Sequence, residues 1–156
     1  MKLKILVGTM TGTADYVAQA IQMDCADLVA DIEVLLMDGL DIRVFEEDAL
    51  YLVCSSTYGS GDVPDNARAL YDSLDSQPRD LSQVRYGVIA LGDRSHHQTF
   101  CEGGKKFDQR LQGLGAKRIG ELSCLDASEG TLPESEATSW CRQWLAQALP
   151  VVQAPA

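Results

Sequence analysis

Short apolar runs bounded by glycine, serine and aspartate alternate along the chain with stretches whose apolar residues return every three to four positions. Residues 2–7, 32–37, 49–55, 86–91 and 118–125 are runs of the first kind, rich in Val, Ile and Leu, and read as buried strands. The stretch after Thr13, with Tyr16, Val17, Ala20 and Ile21 at helical spacing, reads as a helix. So do residues 66–74 behind Pro64, 103–114 with Phe107, Leu111 and Leu114, and 133–149 with Trp140, Trp144 and Leu145. The connection from 37 to 49 is too short and too acidic for a full helix. Pro150 and Pro155 oppose helix continuation, so residues 1–150 are expected to form one domain and 151–156 a frayed tail.

Strands that alternate with helices need right-handed crossovers, which cover both faces of the sheet they build. The pattern therefore predicts an α/β fold of three layers: a doubly wound, five-stranded parallel sheet between helices. A chain of 156 residues is long enough for one such domain.

Charge narrows the partners. The 23 acidic and 13 basic residues leave a formal charge of -10, whereas nucleic acid and anionic membranes reward clustered Lys and Arg. No nucleic acid and no membrane partner is expected, and every apolar run is far shorter than the roughly 20 residues of a membrane-spanning helix. The first seven residues do not form the apolar core of a signal peptide. Five cysteines, odd in number and without a C-x-x-C pair, encode neither a disulfide frame nor a zinc site, so a reducing cytoplasm is expected.

In doubly wound sheets, ligands collect at the carboxyl ends of the strands. Three unusual segments fall there. The first, Thr9, Met10, Thr11, Gly12, Thr13 and Ala14, puts three hydroxyls and a glycine at a helix start, a cradle for a phosphate that needs no lysine. It is equally readable as a threonine-rich helix cap. It matches neither G-x-x-x-x-G-K nor G-x-G-x-x-G, which argues against nucleoside triphosphates and dinucleotides. The second, Ser55, Ser56, Thr57, Tyr58, Gly59, Ser60, Gly61 and Asp62, sets aromatic Tyr58 beside flexible Gly59 and Gly61, either a tight turn or a seat for something flat. The third, from Leu91, Gly92 and Asp93 through His96, His97 and Phe100 to Cys101, is too poor in ligands for zinc. A Cys–His nucleophile would need an orienting acid and an oxyanion site, and Cys101 after Phe100 reads instead as a small packed apolar residue.

Taken together, T-x-T-G-T-A, S-S-T-Y-G-S-G-D-x-P-D-N and L-G-D-x-S followed by F-C resemble the flavodoxin family over nearly the whole chain. The similarity is greatest to small MioC-type flavodoxins and to the FMN domains of sulfite and cytochrome P450 reductases. The continuous run 118–125, without a long inserted loop, resembles the short-chain class. The resemblance implies strand order 2-1-3-4-5 and one bound FMN. The phosphate would lie on Thr9 to Ala14 with Ser56, and the ring edge would meet main chain from Thr57 to Gly61 and from Leu91, Gly92 and Asp93 to Phe100 and Cys101. Tyr58 would flank one face of the ring. His97 stands where the family usually places a second aromatic, with His96 as the alternative.

The function so implied is that of a low-potential one-electron carrier with no substrate of its own, since acidic Asp62 and Asp65 disfavour added negative charge on a flavin. An NAD(P)H-dependent flavodoxin reductase would supply electrons and a downstream redox enzyme would accept them; the MioC resemblance suggests biotin synthase as one acceptor. A monomer is expected. The rival reading is an FMN-dependent NAD(P)H:quinone or azo reductase. A signalling receiver of the same topology would need an acidic phosphoacceptor where Thr9 or Ser55 stands.

Overall fold

The computed structural model describes residues 1–59, 61–96, 98–128 and 130–153. Six parallel strands form one sheet: β1 (Lys2–Gly8), β2 (Asp31–Leu36), β3 (Leu50–Ser55), β4 (Arg85–Gly92), β5 (Lys117–Arg118) and β6 (Ser123–Asp126). The order is β2-β1-β3-β4, with β5 and β6 both lying along β4. Helices α1 (Thr13–Asp24) and α4 (Pro133–Gln153) cover one face; α2 (Arg68–Ser76) and α3 (Glu102–Gly113) cover the other. The order 2-1-3-4-5 and the three layers are those the pattern and the resemblance implied.

Along β1, Leu3, Ile5 and Val7 face α1 and α4 while Leu6 faces the opposite core, the alternation a sheet buried on both sides requires. Lys4 also lies inside, 7% exposed, and is paired with Glu47 and, at 3.8 Å, with Glu33. The β2–β3 crossover holds only a 3-10 turn, Ile42–Glu46, whose Ile42 and Phe45 close the core there.

The fifth strand departs from expectation. It is interrupted, because Trp144 donates its indole N–H to the Ile119 carbonyl (2.9 Å) and Gly120 takes φ +71, which carries residues 119–122 off the ladder. The buried stripe of α1 is Ala14, Val17, Ala18 and Ile21, and Tyr16 is 62% exposed. Starting the helix at Gly12 sets that phase, and the alanines let it approach the sheet. Nor does α4 stop at Pro150, which sits exposed within its last turns; the only intrahelical bond proline forfeits is to Ala146, on an exposed face. The expected tail from 151 is helical to Gln153, and residues 154–156 lie outside the described residues.

Register then aligns the strand ends. Gly8 pairs with Ser55, Ser55 with Ala90, Ala90 with Cys124 and Gly92 with Asp126, so four loops leave the sheet from one rim.

Candidate functional site

Those loops enclose a cleft of about 390 Å³ lined by Met10, Thr11, Thr13, Ser56, Thr57, Tyr58, Leu91, Gly92, Asp93 and Ala127. That volume falls within the roughly 300–1,000 Å³ of sites that enclose a small molecule.

At one end of the cleft, Gly12 (φ +93) turns the chain into α1. The first intrahelical bond runs from the Tyr16 N–H to the Gly12 carbonyl, and no side chain caps the helix. The N–H groups of Thr13, Ala14 and Asp15 have no acceptor one turn back, and they point out of the positive end of the helix. Thr11, Thr13 and Ser56 bring hydroxyls to the same place. No Lys or Arg lines this cleft; such a surface suits a phosphate held by neutral donors. The loop is braced rather than free. Thr9 accepts the Gly12 N–H at 2.9 Å, and Asn66 accepts the Thr9 N–H at 2.8 Å while donating to the Val7 carbonyl and to Asp38.

Toward the other end, Tyr58 is 47% exposed on a turn closed by paired bonds with Asp62, Tyr58 N–H to the Asp62 carbonyl and Asp62 N–H to the Tyr58 carbonyl, both 2.8 Å. Gly59 (φ +54) and Gly61 (φ +111) occupy left-handed conformations that make the turn possible. Asp62 itself is held below the usual carboxylate range by its hydrogen bond to Lys106, with Arg68 also near, so part of its charge is compensated. Leu91, Ala127 and Met10 supply apolar walls. Asp93 accepts the Ser95 N–H and hydroxyl, which lowers its pKa and starts the third loop; Asp126 accepts the Ser128 N–H and starts the fourth in the same way. The Ala127 N–H donates to the Gly92 carbonyl at 2.7 Å and ties the two together.

A polar end with uncapped amides and an apolar end with an aromatic wall fit a flat ring that carries a phosphate. A family model described as flavodoxin matches residues 5–140. The chain belongs to the flavodoxin family. Flavodoxin YqcA of Escherichia coli is 40% identical to it over 157 residues, covering 92% of this chain and 95% of that protein. Protein MioC of E. coli is 33% identical over 143 residues, with the same two coverages. A solved cysteine-to-alanine mutant of flavodoxin from Pseudomonas aeruginosa superposes with a TM-score of 0.80 at 33% identity, covering 94% of this chain and 98% of that one. This flavodoxin is thus an FMN-binding electron carrier.

Of the residues expected to meet the cofactor, Met10, Thr11, Thr13, Ser56, Thr57, Tyr58, Leu91, Gly92 and Asp93 line the cleft. Thr9 and Gly12 shape the first loop, and Gly59 and Gly61 shape the second. Ala14 has only its N–H to offer the cleft, because its side chain is fully buried in the α1–α4 core. The Thr57 hydroxyl is likewise spent inside the protein, donating to the Leu91 carbonyl and accepting the Gly103 N–H, both at 3.0 Å. Phe100 packs behind Gly92 with the Arg94 guanidinium 5.7 Å from its ring centre. His96 is exposed and lies outside the lining, while Ser60 and His97 lie outside the described residues.

Sequence reasoning missed Ala127 and the bracing role of Asn66. Ala127 follows the last strand, so the strand-end rule that found the other three loops would have found it. Asn66 closed one of the motifs, but its bracing role gave no local signal, because its partners are 28 to 59 positions away. Replacement by Ala removes all three bonds and leaves the Thr9 N–H without its acceptor, a cost of about 1–3 kcal/mol. Fluorescence titration of Asn66→Ala should show FMN bound roughly tenfold more weakly.

The expectation that the cysteines encode no disulfide is corrected. Cys101 and Cys124 are joined, with Cα atoms 5.9 Å apart. Their spacing forms no recognisable pair; the β4–β6 register sets Cys124 beside Ala90, and the start of α3 sets the Cys101 sulfur 3.2 Å from the Ala90 carbonyl oxygen. Cys25, Cys54 and Cys141 are buried free thiols, and burial pushes the Cys54 thiol up to about 12.

Proposed function

We propose that FMN sits in the cleft with its phosphate on the 9–14 loop, beside the Thr11, Thr13 and Ser56 hydroxyls, and its ring against Tyr58 between the second, third and fourth loops. The observation that carries this reading is the uncapped first turn of α1, with hydroxyls and no cation around it. FMN, when bound, supplies one-electron redox chemistry; the chain binds it, orients it and keeps water from part of it.

The flavodoxin then works as a monomeric carrier in the cytoplasm with no substrate of its own. It takes electrons from an NAD(P)H-dependent reductase and passes them to a redox enzyme, biotin synthase being one candidate. The formal charge of -10 favours partners with a basic face, and raised salt should slow both exchanges. No helix among the described residues is long and apolar enough to cross a membrane.

Two measurements test the reading. FMN fluorescence should be quenched on titration with the chain at micromolar concentration, and the isolated loaded protein should not sustain NADH oxidation. Unquenched fluorescence overturns the site; steady NADH consumption overturns the carrier role in favour of a quinone or azo reductase. For the ring wall, Tyr58→Ala removes an aromatic stacking surface worth about 1–3 kcal/mol for a flat heterocycle. The expected loss of FMN affinity is about five- to a hundredfold, and Tyr58→Phe should bind nearly as the parent does.

A further inference from the structure

Cys101 and Cys124 span the rim between the third and fourth loops. Cys101 is fully buried and is the one non-glycine residue with positive φ (+64) among the described residues, at the N-cap of α3. A Cβ on cleft-lining Gly92 would come 2.6 Å from the Cys101 nitrogen, so the main chain of Cys101 stands directly behind the cleft wall. Cys124 lies on β6, which pairs only with β4, and is half-buried; three residues on, Ala127 lines the cleft.

We propose that Cys101 and Cys124 form a reversible thiol–disulfide clasp that sets FMN affinity and answers to low-molecular-weight thiols and disulfides of the glutathione class. The inference rests on the flavin being seated in this cleft.

The chemistry follows from the unequal placement of the two sulfurs. A thiolate from the reductant can reach Cys124 at the sheet edge and attack its sulfur. The Cys101–Cys124 bond breaks, and Cys101 leaves as a thiolate that is protonated as it forms. A second thiolate then attacks the mixed disulfide and frees Cys124, releasing the reductant as its own disulfide. Both cysteines take up a proton, and the Cys101 thiol has the Ala90 carbonyl oxygen 3.2 Å away as acceptor. The net change is one protein disulfide and two small thiols into two protein thiols and one small disulfide. Oxidation is the reverse.

Closed, the clasp holds Cys101 in a left-handed conformation that a residue with a β-carbon otherwise disfavours. It also fixes the far end of the loop whose near end Asp93 and Ser95 already fix. Opened, Cys101 can relax and the loop gains freedom that FMN must remove on binding. The oxidised form should therefore bind FMN more tightly, by about tenfold. By reciprocity, bound FMN should make the disulfide tenfold harder to reduce, about 30 mV for this two-electron couple.

The test is an FMN titration of the full chain, freed of flavin and equilibrated with oxidised or with reduced glutathione, alongside a thiol count in denaturant. Three thiols and tight binding are expected in the first buffer, five thiols and roughly tenfold weaker binding in the second. Cys124→Ser should bind FMN alike in both buffers, with the affinity of the reduced parent. Five thiols in the oxidising buffer, or a Cys124→Ser variant that keeps the difference, overturns the clasp. Equal affinity despite a change from five thiols to three also overturns it while leaving the flavin site standing. No binding in either buffer removes the site and the clasp with it.

Discussion

Gly103→Ala should weaken FMN binding about tenfold and lower the melting temperature together. Gly103 is the second residue of α3, and a Cβ there would collide with the Ser56 carbonyl oxygen and lie 3.1 Å from the Thr57 Cα. Both obstacles are main chain, so the helix and the second loop must part. Parting them stretches the bond from the Gly103 N–H to the Thr57 hydroxyl, which in turn holds the Leu91 carbonyl. The methyl thus reaches three of the cleft-lining residues without touching the cleft. Overpacking of this kind costs about 1–3 kcal/mol, which for a chain of this size is a fall of about 3–10 °C. Gly113→Ala, on the same helix, meets nothing within 4 Å. That change should stabilise by about 0.5–1 kcal/mol through lower backbone entropy of the unfolded chain and leave FMN affinity unchanged. Calorimetry of the two variants should give opposite signs, and flavin titration a loss for Gly103→Ala alone, if crowding at Ser56, rather than loss of glycine as such, is the cause.

Trp144→Ala should produce the larger loss of stability and almost no loss of FMN affinity. Trp144 is 2% exposed and lies against Gly87, where even a methyl would come within 2.5 Å of the indole ring. Removing the ring leaves a void on the α4 face of β4 and frees the Ile119 carbonyl that interrupts the fifth strand. Aromatic-to-alanine changes in cores cost about 3–5 kcal/mol, here a fall of about 6–20 °C. Gly87 and cleft-lining Gly92 are about 16 Å apart along the strand, and α4 contributes no residue to the lining. A titration should therefore keep the parent affinity within twofold at temperatures where the variant is folded. A large loss of affinity would show that the cleft depends on the α4 core more closely than its lining indicates.

Much of this protein was legible from local pattern. Strand-length apolar runs such as 49–55 and helical spacing such as Phe107, Leu111 and Leu114 state which segments pair and which coil, because burial on one face or both is written into a window of a few residues. The hydroxyl-rich turn at Thr9 to Thr13 was legible as a donor-rich helix start for the same reason: hydrogen-bond capacity and a helix start are local properties. Gly59 and Gly61, just after Tyr58, likewise marked a turn beside a ring.

What lay beyond reach were matters of register and phase. Whether Ala14 or Tyr16 is buried depends on where Gly12 starts the helix, and whether the fifth strand runs unbroken depends on an indole 25 positions away. Asn66, Ala127 and the Cys101–Cys124 bond acquire their roles only because β1, β3, β4 and β6 end level with one another. Short-range preferences decide what each segment becomes. Which residues meet across the rim is decided by strand pairing, where a shift of a single residue exchanges one set of neighbours for another.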